Sequence, residues 1–456
     1  MPSRKVLLIS YLFPPAGGIS VQRALSLARY LPDHGLEVHV LCAWNPTTPT
    51  SDPTLVKQVP AAVRVHRTFT PEVPFHIKRK LWRWISPENS ATTVAKAVAT
   101  PQPVTWKSRV VDTIRRVLSP DPEVVWVPFA LRRAQQLIKR HQIQSIIVTA
   151  PPFSALLIGN ALQRKFPGLQ LISDFRDDWL RFFLGTFDFQ KSASVRRRAE
   201  RIERETVERS SRVVVVTKSL LDEMRARYPD VPAGKFTCVS NGFAPALFSE
   251  FRPRPHSGSH IVVTYVGTVY VTTSARYYLD ALDALPDEIR SRVETRFIGR
   301  ITADEKPYLQ NRKSKITELG FIPQAEALRL MEETDLLLVT MLDPTATSGK
   351  IYEYLPAGKP ILAVGVEGEL PQLIRETRTG WCVDPNDKAG LVSLLRQLFD
   401  PGRQLLNEFR PDQEAIRRYE RPRLASAFAD LIAPAGNKQL EERLEPAREQ
   451  LGGGVA

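Results

Sequence analysis

Cysteine is scarce in this chain of 456 residues: the three present, Cys42, Cys238 and Cys382, stand far apart, with no CxxC and no Cys/His spacing. Neither a disulfide framework nor a zinc site is indicated, and ordinary buried thiols are expected. Long apolar runs are missing too. No window approaches the roughly 18 uninterrupted apolar residues that a membrane span needs. Met1-Pro2-Ser3-Arg4-Lys5 leads straight into the strand-like Val6-Leu7-Leu8-Ile9, an apolar stretch too short for a signal peptide, so a cytoplasmic location is expected. Acidic residues are the minority. Against 63 Lys+Arg there are 49 Asp+Glu, giving a formal net charge of +14. That excess implies attraction to polyanions, and nucleic acid, anionic lipid and phosphorylated substrates all qualify.

What is present describes a folded protein. Hydrophobic residues make up 43% and charged residues 25% of the chain, enough apolar surface to offset chain entropy and exclude global disorder. The length favours two large domains or three small ones. Strand-like runs recur at Val6–Ser10, Val38–Cys42, Ile146–Thr149, Leu169–Ser173, Val213–Val216, Ile261–Val266, Thr295–Ile298, Leu336–Thr340 and Ile361–Val364, separated by amphipathic stretches. Such alternation gives an α/β fold class with parallel sheets covered on both faces. A polar, Pro-rich segment at 248–260 reads as a linker between an N-terminal domain (1–247) and a C-terminal domain (261–400). Residues 401–432 read as helices packing back toward the N-terminal domain, and 433–456 as a partly disordered tail.

Residues 66–125 interrupt the alternation. Phe75–Ile85 is basic and aromatic, and a helical pattern follows at Trp106–Leu118; Lys/Arg clusters with interfacial Trp suit an anionic bilayer surface, and a helix packed on the domain is the alternative. The charge-dense Lys191–Arg212 places Glu200 near Arg204 and Arg201 near Glu205, the i,i+4 spacing of a solvated helix.

Two stretches carry chemistry. After Ile9, the turn containing Gly17 and Gly18 opens a helix with Val21, Ala24, Leu25, Ala28 and Leu31 on one face, a strand–turn–helix unit where a ligand can approach the backbone. The dinucleotide fingerprint GxGxxG is absent there, which weakens an NAD reading. Further on, Thr347-Ser348-Gly349-Lys350-Ile351-Tyr352-Glu353 links two apolar strands through a short helix, and Lys350 and Glu353 lie one helical turn apart. A lysine there suits a diphosphate and a carboxylate one turn on suits ribose hydroxyls; a structural salt bridge is the alternative.

This segment resembles the donor-nucleotide motif of glycosyltransferase family 4, enzymes of the GT-B fold in which two Rossmann-like domains face a central cleft. Nearly the whole chain follows the same order. Tyr11-Leu12-Phe13-Pro14-Pro15-Ala16-Gly17-Gly18, Ala150-Pro151-Pro152-Phe153-Ser154 and Asp174-Phe175-Arg176-Asp177-Asp178-Trp179 resemble a bacterial subgroup acting on surface polysaccharides. Ser240-Asn241-Gly242-Phe243, Tyr265-Val266-Gly267-Thr268 and Gly320-Phe321-Ile322-Pro323 match as well. The resemblance implies that Glu353 holds the donor ribose, that Lys350 lies near the diphosphate with Ser348 beside it, and that Gly267 and Thr268 approach the phosphates. Arg276 is implied as a second cation, Arg300 as a contact to base or phosphate with a surface salt bridge as the alternative, and Gly17 and Gly18 as the opposite wall. Two departures stand out: Thr345 occupies the position eight before Glu353, where the family often has another glutamate, and Asp174-Phe175-Arg176 replaces a histidine. Asp174, Arg176 and Asp177 are the catalytic candidates, at the C-terminal end of a buried-type strand, where open α/β sheets bind ligands; an internal Asp–Arg ion pair is the alternative.

The expected function is transfer of a sugar from a UDP- or GDP-sugar to a saccharide or lipid-linked acceptor. Retention of configuration, no cofactor, no dedicated metal site and no specific nucleic acid partner are expected with it. Peripheral attachment to the inner face of the membrane is a further expectation. A GT-B sugar-nucleotide epimerase and a non-enzymatic polyanion- or membrane-binding protein are the rival readings.

Overall fold

The computed structural model describes residues 4–46, 48, 51–71, 118–183, 193–253, 260–400 and 404–432. The Phe75–Ile85 segment, nearly all of the Trp106–Leu118 pattern and the 433–456 tail lie outside the described residues. No helix among the described residues is long and apolar enough to cross a membrane.

Two parallel sheets form. The first has seven strands in the order β3-β2-β1-β4-β5-β6-β7: β1 (Arg4–Ile9), β2 (Leu36–Ala43), β3 (Arg64–Thr68), β4 (Ser145–Ala150), β5 (Gln170–Phe175), β6 (Arg212–Val215) and β7 (Phe236–Cys238). The second has six in the order β10-β9-β8-β11-β12-β13: β8 (Ile261–Val266), β9 (Val293–Ile298), β10 (Lys315–Gly320), β11 (Leu336–Met341), β12 (Ile361–Gly365) and β13 (Gly380–Val383). Each order reverses beside its first strand in sequence, and at such a switch point the flanking crossovers go to opposite faces and leave a crevice. Register pairs Ile9 with Leu41 and with Val148, so the C-terminal ends of β1, β2 and β4 lie side by side.

Strand alternation feeds two cores per sheet. Leu7, Ile9, Leu41, Ile146 and Val148 pack under the helices Val127–His141 and Ser154–Lys165, while Val6, Leu8, Val38, Val40 and Ile147 pack under the helix Ile19–Tyr30. In the second sheet Leu336 and Leu338 face the helices Arg276–Leu282 and Lys388–Leu398, and Leu337, Val339 and Met341 face Ile351–Tyr354 and Glu369–Thr377.

The chain crosses between the two units twice, and the crossings pair. The amide of Phe243 donates to Tyr419 O (3.0 Å) and that of Arg421 to Phe243 O (2.8 Å). At Gly242 a Cβ would lie 2.1 Å from Tyr419 O, so only glycine permits this approach. Phe243 and Phe251 are buried in the second unit's core, with Phe248 packed against them. The first crossing therefore falls at Ser240–Phe243, upstream of the 248–260 segment whose composition reads as the linker. The final helix, Arg421–Leu431, returns to the first unit and buries Phe428, Ala429 and Leu431 against Val6, Leu8 and Ala24. Full burial of Phe428 and Leu431 is worth about 1.5–3 kcal/mol each, which anchors the second crossing.

The helix Ala193–Arg209 forms i,i+4 pairs, but between Arg196 and Glu200, Arg204 and Glu208, and Glu205 and Arg209, not between the partners expected from sequence. It is not solvated all round. Glu203 is completely buried and accepts from Arg227 (2.8 Å) and Tyr228 (2.8 Å).

Candidate functional site

The C-terminal strand ends of both sheets border one cavity of about 400 Å³, with Arg176 and Asp177 from the first unit and Gly267, Thr268, Ser348 and Lys350 from the second. These six residues, read from separate stretches of sequence, thus meet in one cleft. The walls touch across it. The Thr217 hydroxyl donates to Thr345 O (3.1 Å), the Ser219 amide donates to a Glu369 carboxylate oxygen (2.6 Å), and Ile19 lies so close to Gly349 that a Cβ there would be 2.7 Å from its Cγ1.

Lys350 precedes the helix Ile351–Tyr354. Its Nζ is buried with no hydrogen-bond partner, 3.5 Å from the centroid of the Tyr265 ring. Burial pushes its pKa well below the usual lysine range. Gly267, just past β8, has φ 126°, and a Cβ there would stand 2.8 Å from Lys350 Cε. The glycine is thus needed both for its backbone angle and for the room it leaves the lysine. A buried lysine nitrogen with no hydrogen-bond partner and an aromatic face beside it is a poorly satisfied group. An anion entering from the cavity would complete it.

Glu353 stands behind this wall. Its Oε1 accepts from Gln324 Nε2 (2.7 Å) and lies 3.9 Å from Arg421 Nη2. Burial raises its pKa, against the attraction of Arg421. Arg421, itself a cavity residue, donates to Gly242 O (2.9 Å) and to Gln22 Oε1 (2.8 Å). One guanidinium therefore joins the first unit, the crossing and the Glu353 carboxylate.

The first wall is arranged differently. Asp174 is fully buried and its two oxygens accept from Arg23 at 2.7–3.0 Å, with a further bond from the Thr149 hydroxyl (2.8 Å). Arg23 also donates to Val239 O and Ser240 O (both 2.9 Å), which leaves Asp174 one salt bridge away from the cavity. Arg176 is spent on carbonyls, donating to Ser20 O (2.6 Å), Ala150 O (3.3 Å) and Pro151 O. It holds the loop after β4 against the start of the helix Ile19–Tyr30. Asp177 keeps a carboxylate on the cavity, with its pKa raised to about 6 by burial, against the pull of Arg176. Across the cleft stands the Tyr270 phenol, which feels the charges of both Asp177 and Asp343. Asp343 accepts from the amide (2.9 Å) and hydroxyl (2.8 Å) of Thr345.

Four further candidates stand outside the cavity lining. Gly17 is packed against Asp52, whose amide nitrogen would be 3.1 Å from a Cβ, and Gly18 (φ 87°) caps the helix whose first residues, Ile19 and Ser20, line the cavity. Arg276 is drawn to tyrosines: it donates to Tyr277 OH (2.7 Å) and stacks over the Tyr277 and Tyr308 rings. Arg300 is exposed. Cavity residues outside the candidates read from sequence include Arg23, Tyr270, Asp343 and Arg421. Arg23 had a signal, a cation embedded in an apolar helix face, and so did Asp343, two residues past the C-terminal end of a buried strand. Tyr270 and Arg421 had none.

Residues 17–242 match the family described as "Glycosyl transferase 4-like domain", and residues 260–400 that described as "Glycosyl transferases group 1". The probable glycosyltransferase WbjE of Pseudomonas aeruginosa is 26% identical over 201 residues, 41% of this chain and 50% of that protein. The match spans about half the length of that curated relative. Among solved structures, sucrose-phosphate synthase from Thermosynechococcus elongatus aligns with TM-score 0.60 at 15% identity, covering 97% of this chain and 100% of that one. Anabaena Alr3699/HepE in complex with UDP and glucose aligns with TM-score 0.58 at 16% identity, covering 94% and 98%. WaaG, a glycosyltransferase involved in lipopolysaccharide biosynthesis, aligns with TM-score 0.57 at 15% identity, covering 94% and 100%. At these identities the solved structures establish the shared two-domain fold.

Proposed function

This chain belongs to the GT-B glycosyltransferases of the family 4 type, and we propose on that premise that it transfers a sugar from a nucleoside-diphosphate sugar to an acceptor hydroxyl. The observation that carries the reading is the unpartnered, buried ammonium of Lys350 at the cleft. The diphosphate supplies the counter-charge that Lys350 lacks, and the Gly267–Thr268 backbone lets the phosphates approach. Glu353 accepts the ribose hydroxyls once the nucleotide is seated, with Gln324 and Arg421 fixing its carboxylate. The bond from the anomeric carbon to the diphosphate oxygen breaks, with its electron pair leaving on the diphosphate. The acceptor oxygen bonds to that carbon, and its proton passes to the Asp177 carboxylate. A base with a pKa of about 6 is ionised at neutral pH and still basic enough to take a proton. Lys350 meets charge that grows as the diphosphate departs, which is transition-state stabilisation by a fixed cation.

UDP is the favoured nucleotide, since Alr3699/HepE of the same fold was solved with it; GDP is the alternative. The acceptor class proposed is a saccharide or lipid-linked intermediate of surface-polysaccharide synthesis, reached at the cytoplasmic face of the membrane. Retention of configuration and independence from added metal belong to the same proposal. A thermal-shift panel tests the donor: UDP or GDP at 100 times its dissociation constant should stabilise the protein by about 2.7 kcal/mol, and NAD should not. No response to any nucleotide sinks the donor assignment. Incubation with donor alone separates the epimerase reading, which requires an epimeric sugar without acceptor. The product anomer and turnover with and without Mg²⁺ or Mn²⁺ decide the finer points.

A further inference from the structure

A second group of polar side chains gathers away from the cleft. Glu37 and His39 lie two residues apart on β2, so both leave the same face of the sheet, the face that the helix Val127–His141 covers. His39 is completely buried; its Nε2 is 3.1 Å from Glu37 Oε1 and its Nδ1 is 3.1 Å from His66 Nε2. His141, the last residue of the covering helix, sets its ring centroid 4.4 Å from that of His39. Three of the chain's seven histidines thus meet at one spot, brought from β2, β3 and the helix end.

The ligand atoms of Glu37, His39 and His141 all lie within 4.8 Å of one another. Zinc bonds of about 2.0–2.2 Å to imidazole nitrogen and carboxylate oxygen separate tetrahedral ligands by about 3.4 Å, which modest side-chain rotation reaches from here. We propose that Glu37, His39 and His141 form a binding site for one divalent transition-metal ion, zinc by donor type, with His66 as the positioning residue for His39. Two imidazoles and one carboxylate are a borderline-soft nitrogen and oxygen set that suits zinc better than calcium or magnesium. His66 sets the tautomer. With Nδ1–H of His39 donating to His66 Nε2, the Nε2 lone pair of His39 is free for the metal, the arrangement that orients metal-bound histidines generally. Without metal, the Nε2–H of His39 donates to Glu37 instead.

The surroundings bear on affinity in both directions. The C-terminal end of a 15-residue helix, where the carbonyl dipoles favour a cation, is the end that carries His141. Opposing it, Arg64 lies 3.2 Å and Lys5 4.0 Å from the Glu37 carboxylate, and Arg133 and Arg140 also face the cluster. Arg64 is 54% and Lys5 33% exposed, so both can turn into water when a metal takes the carboxylate. His39 sits four residues before the C-terminal end of β2, about 13 Å of strand from the cleft edge. The ion would tie β2 to the end of the covering helix and leave the sugar-nucleotide cavity untouched.

The test uses full-length protein stripped of metal with a chelator. Zn²⁺ titrated into it calorimetrically should bind with one equivalent, and Co²⁺ should give the intense visible absorption of a tetrahedral site. His141→Ala, at a half-exposed helix end, should lower Zn²⁺ affinity at least tenfold and abolish that absorption, while the thermal shift with UDP stays as in the wild type. His66→Ala should weaken binding about 10–100-fold with the Co²⁺ absorption band retained but shifted. Absence of the Co²⁺ absorption in the wild-type protein, or Zn²⁺ affinity unchanged by His141→Ala, would overturn the site.

Discussion

The two walls of the cleft handle buried charge in opposite ways. On the first, Arg23 and Asp174 satisfy each other with three contacts of 2.7–3.0 Å, and backbone carbonyls and Thr149 take up the rest of their capacity. On the second, Lys350 buries an ammonium with no hydrogen bond at all. Both arrangements border the same cavity, yet the satisfied pair has nothing left to offer a ligand. A satisfied pair shapes the cleft, whereas an unpartnered group is left for a ligand. Both bury ionisable groups; the count of partners differs. Asp177 and Asp178 repeat the contrast in adjacent positions. Asp178 is held by Arg227 at 3.0–3.1 Å, while Asp177 faces the cavity and Tyr270.

The sharpest way to break the comparison is to strand one partner of the satisfied pair. Arg23→Ala leaves Asp174 buried with no cation and only the Thr149 hydrogen bond named above, and removing one member of a buried pair costs about 3–5 kcal/mol. A denaturant melt should show that loss, and a stability change within error would mean that the pair is not a scaffold. Lys350→Met should behave oppositely: the ligand-free protein keeps or gains stability, because an unsatisfied ammonium is removed. Turnover should then fall by about 100-fold, the effect of losing one transition-state donor. Loss of ligand-free stability with near-normal turnover would make Lys350 a structural residue.

Between these extremes lies Glu353, partly satisfied by Gln324 and Arg421. Glu353→Gln should weaken donor binding by about 1–3 kcal/mol with a smaller change in turnover, read as KM against kcat. The smallest effect is a pH slope. Asp177 has its folded pKa raised to about 6 by burial, whereas in the unfolded chain it titrates near 4. The folded state therefore holds the extra proton between those values, and stability from this group falls as pH rises from about 4 to about 6. Asp177→Asn should remove that part of the slope in urea melts across the window, together with the acidic limb of the kcat/KM profile.

How much of this was legible follows from where the determining contacts lie. The nine runs read as strands correspond to β1, β2, β4, β5, β6, β8, β9, β11 and β12, all of them interior to their sheets. The four that escaped, β3, β7, β10 and β13, are the four sheet edges. An interior strand of a parallel sheet is buried on both faces and must be apolar throughout. An edge such as Arg64-Val65-His66-Arg67-Thr68 or Lys315-Ile316-Thr317-Glu318-Leu319-Gly320 is half solvated, and its pattern resembles a loop.

The site divides along the same physical line. Gly267 after a strand, and Lys350 and Glu353 one helical turn apart, are local relations that a sequence displays, because a turn or a helix start sets their distance. Arg23 meets Asp174 across 151 residues, and Arg421 meets Gln22 across 399. Asp177 faces Tyr270 from another domain, and His39, His66 and His141 converge from three elements. The sequence by itself determined the α/β class, the two sheets and the one-turn spacing of Lys350 and Glu353, through periodicity and short-range spacing. Only the tertiary structure decided which charges are spent on one another and which remain for a ligand, because strand order and the return of the last helix choose every long-range neighbour.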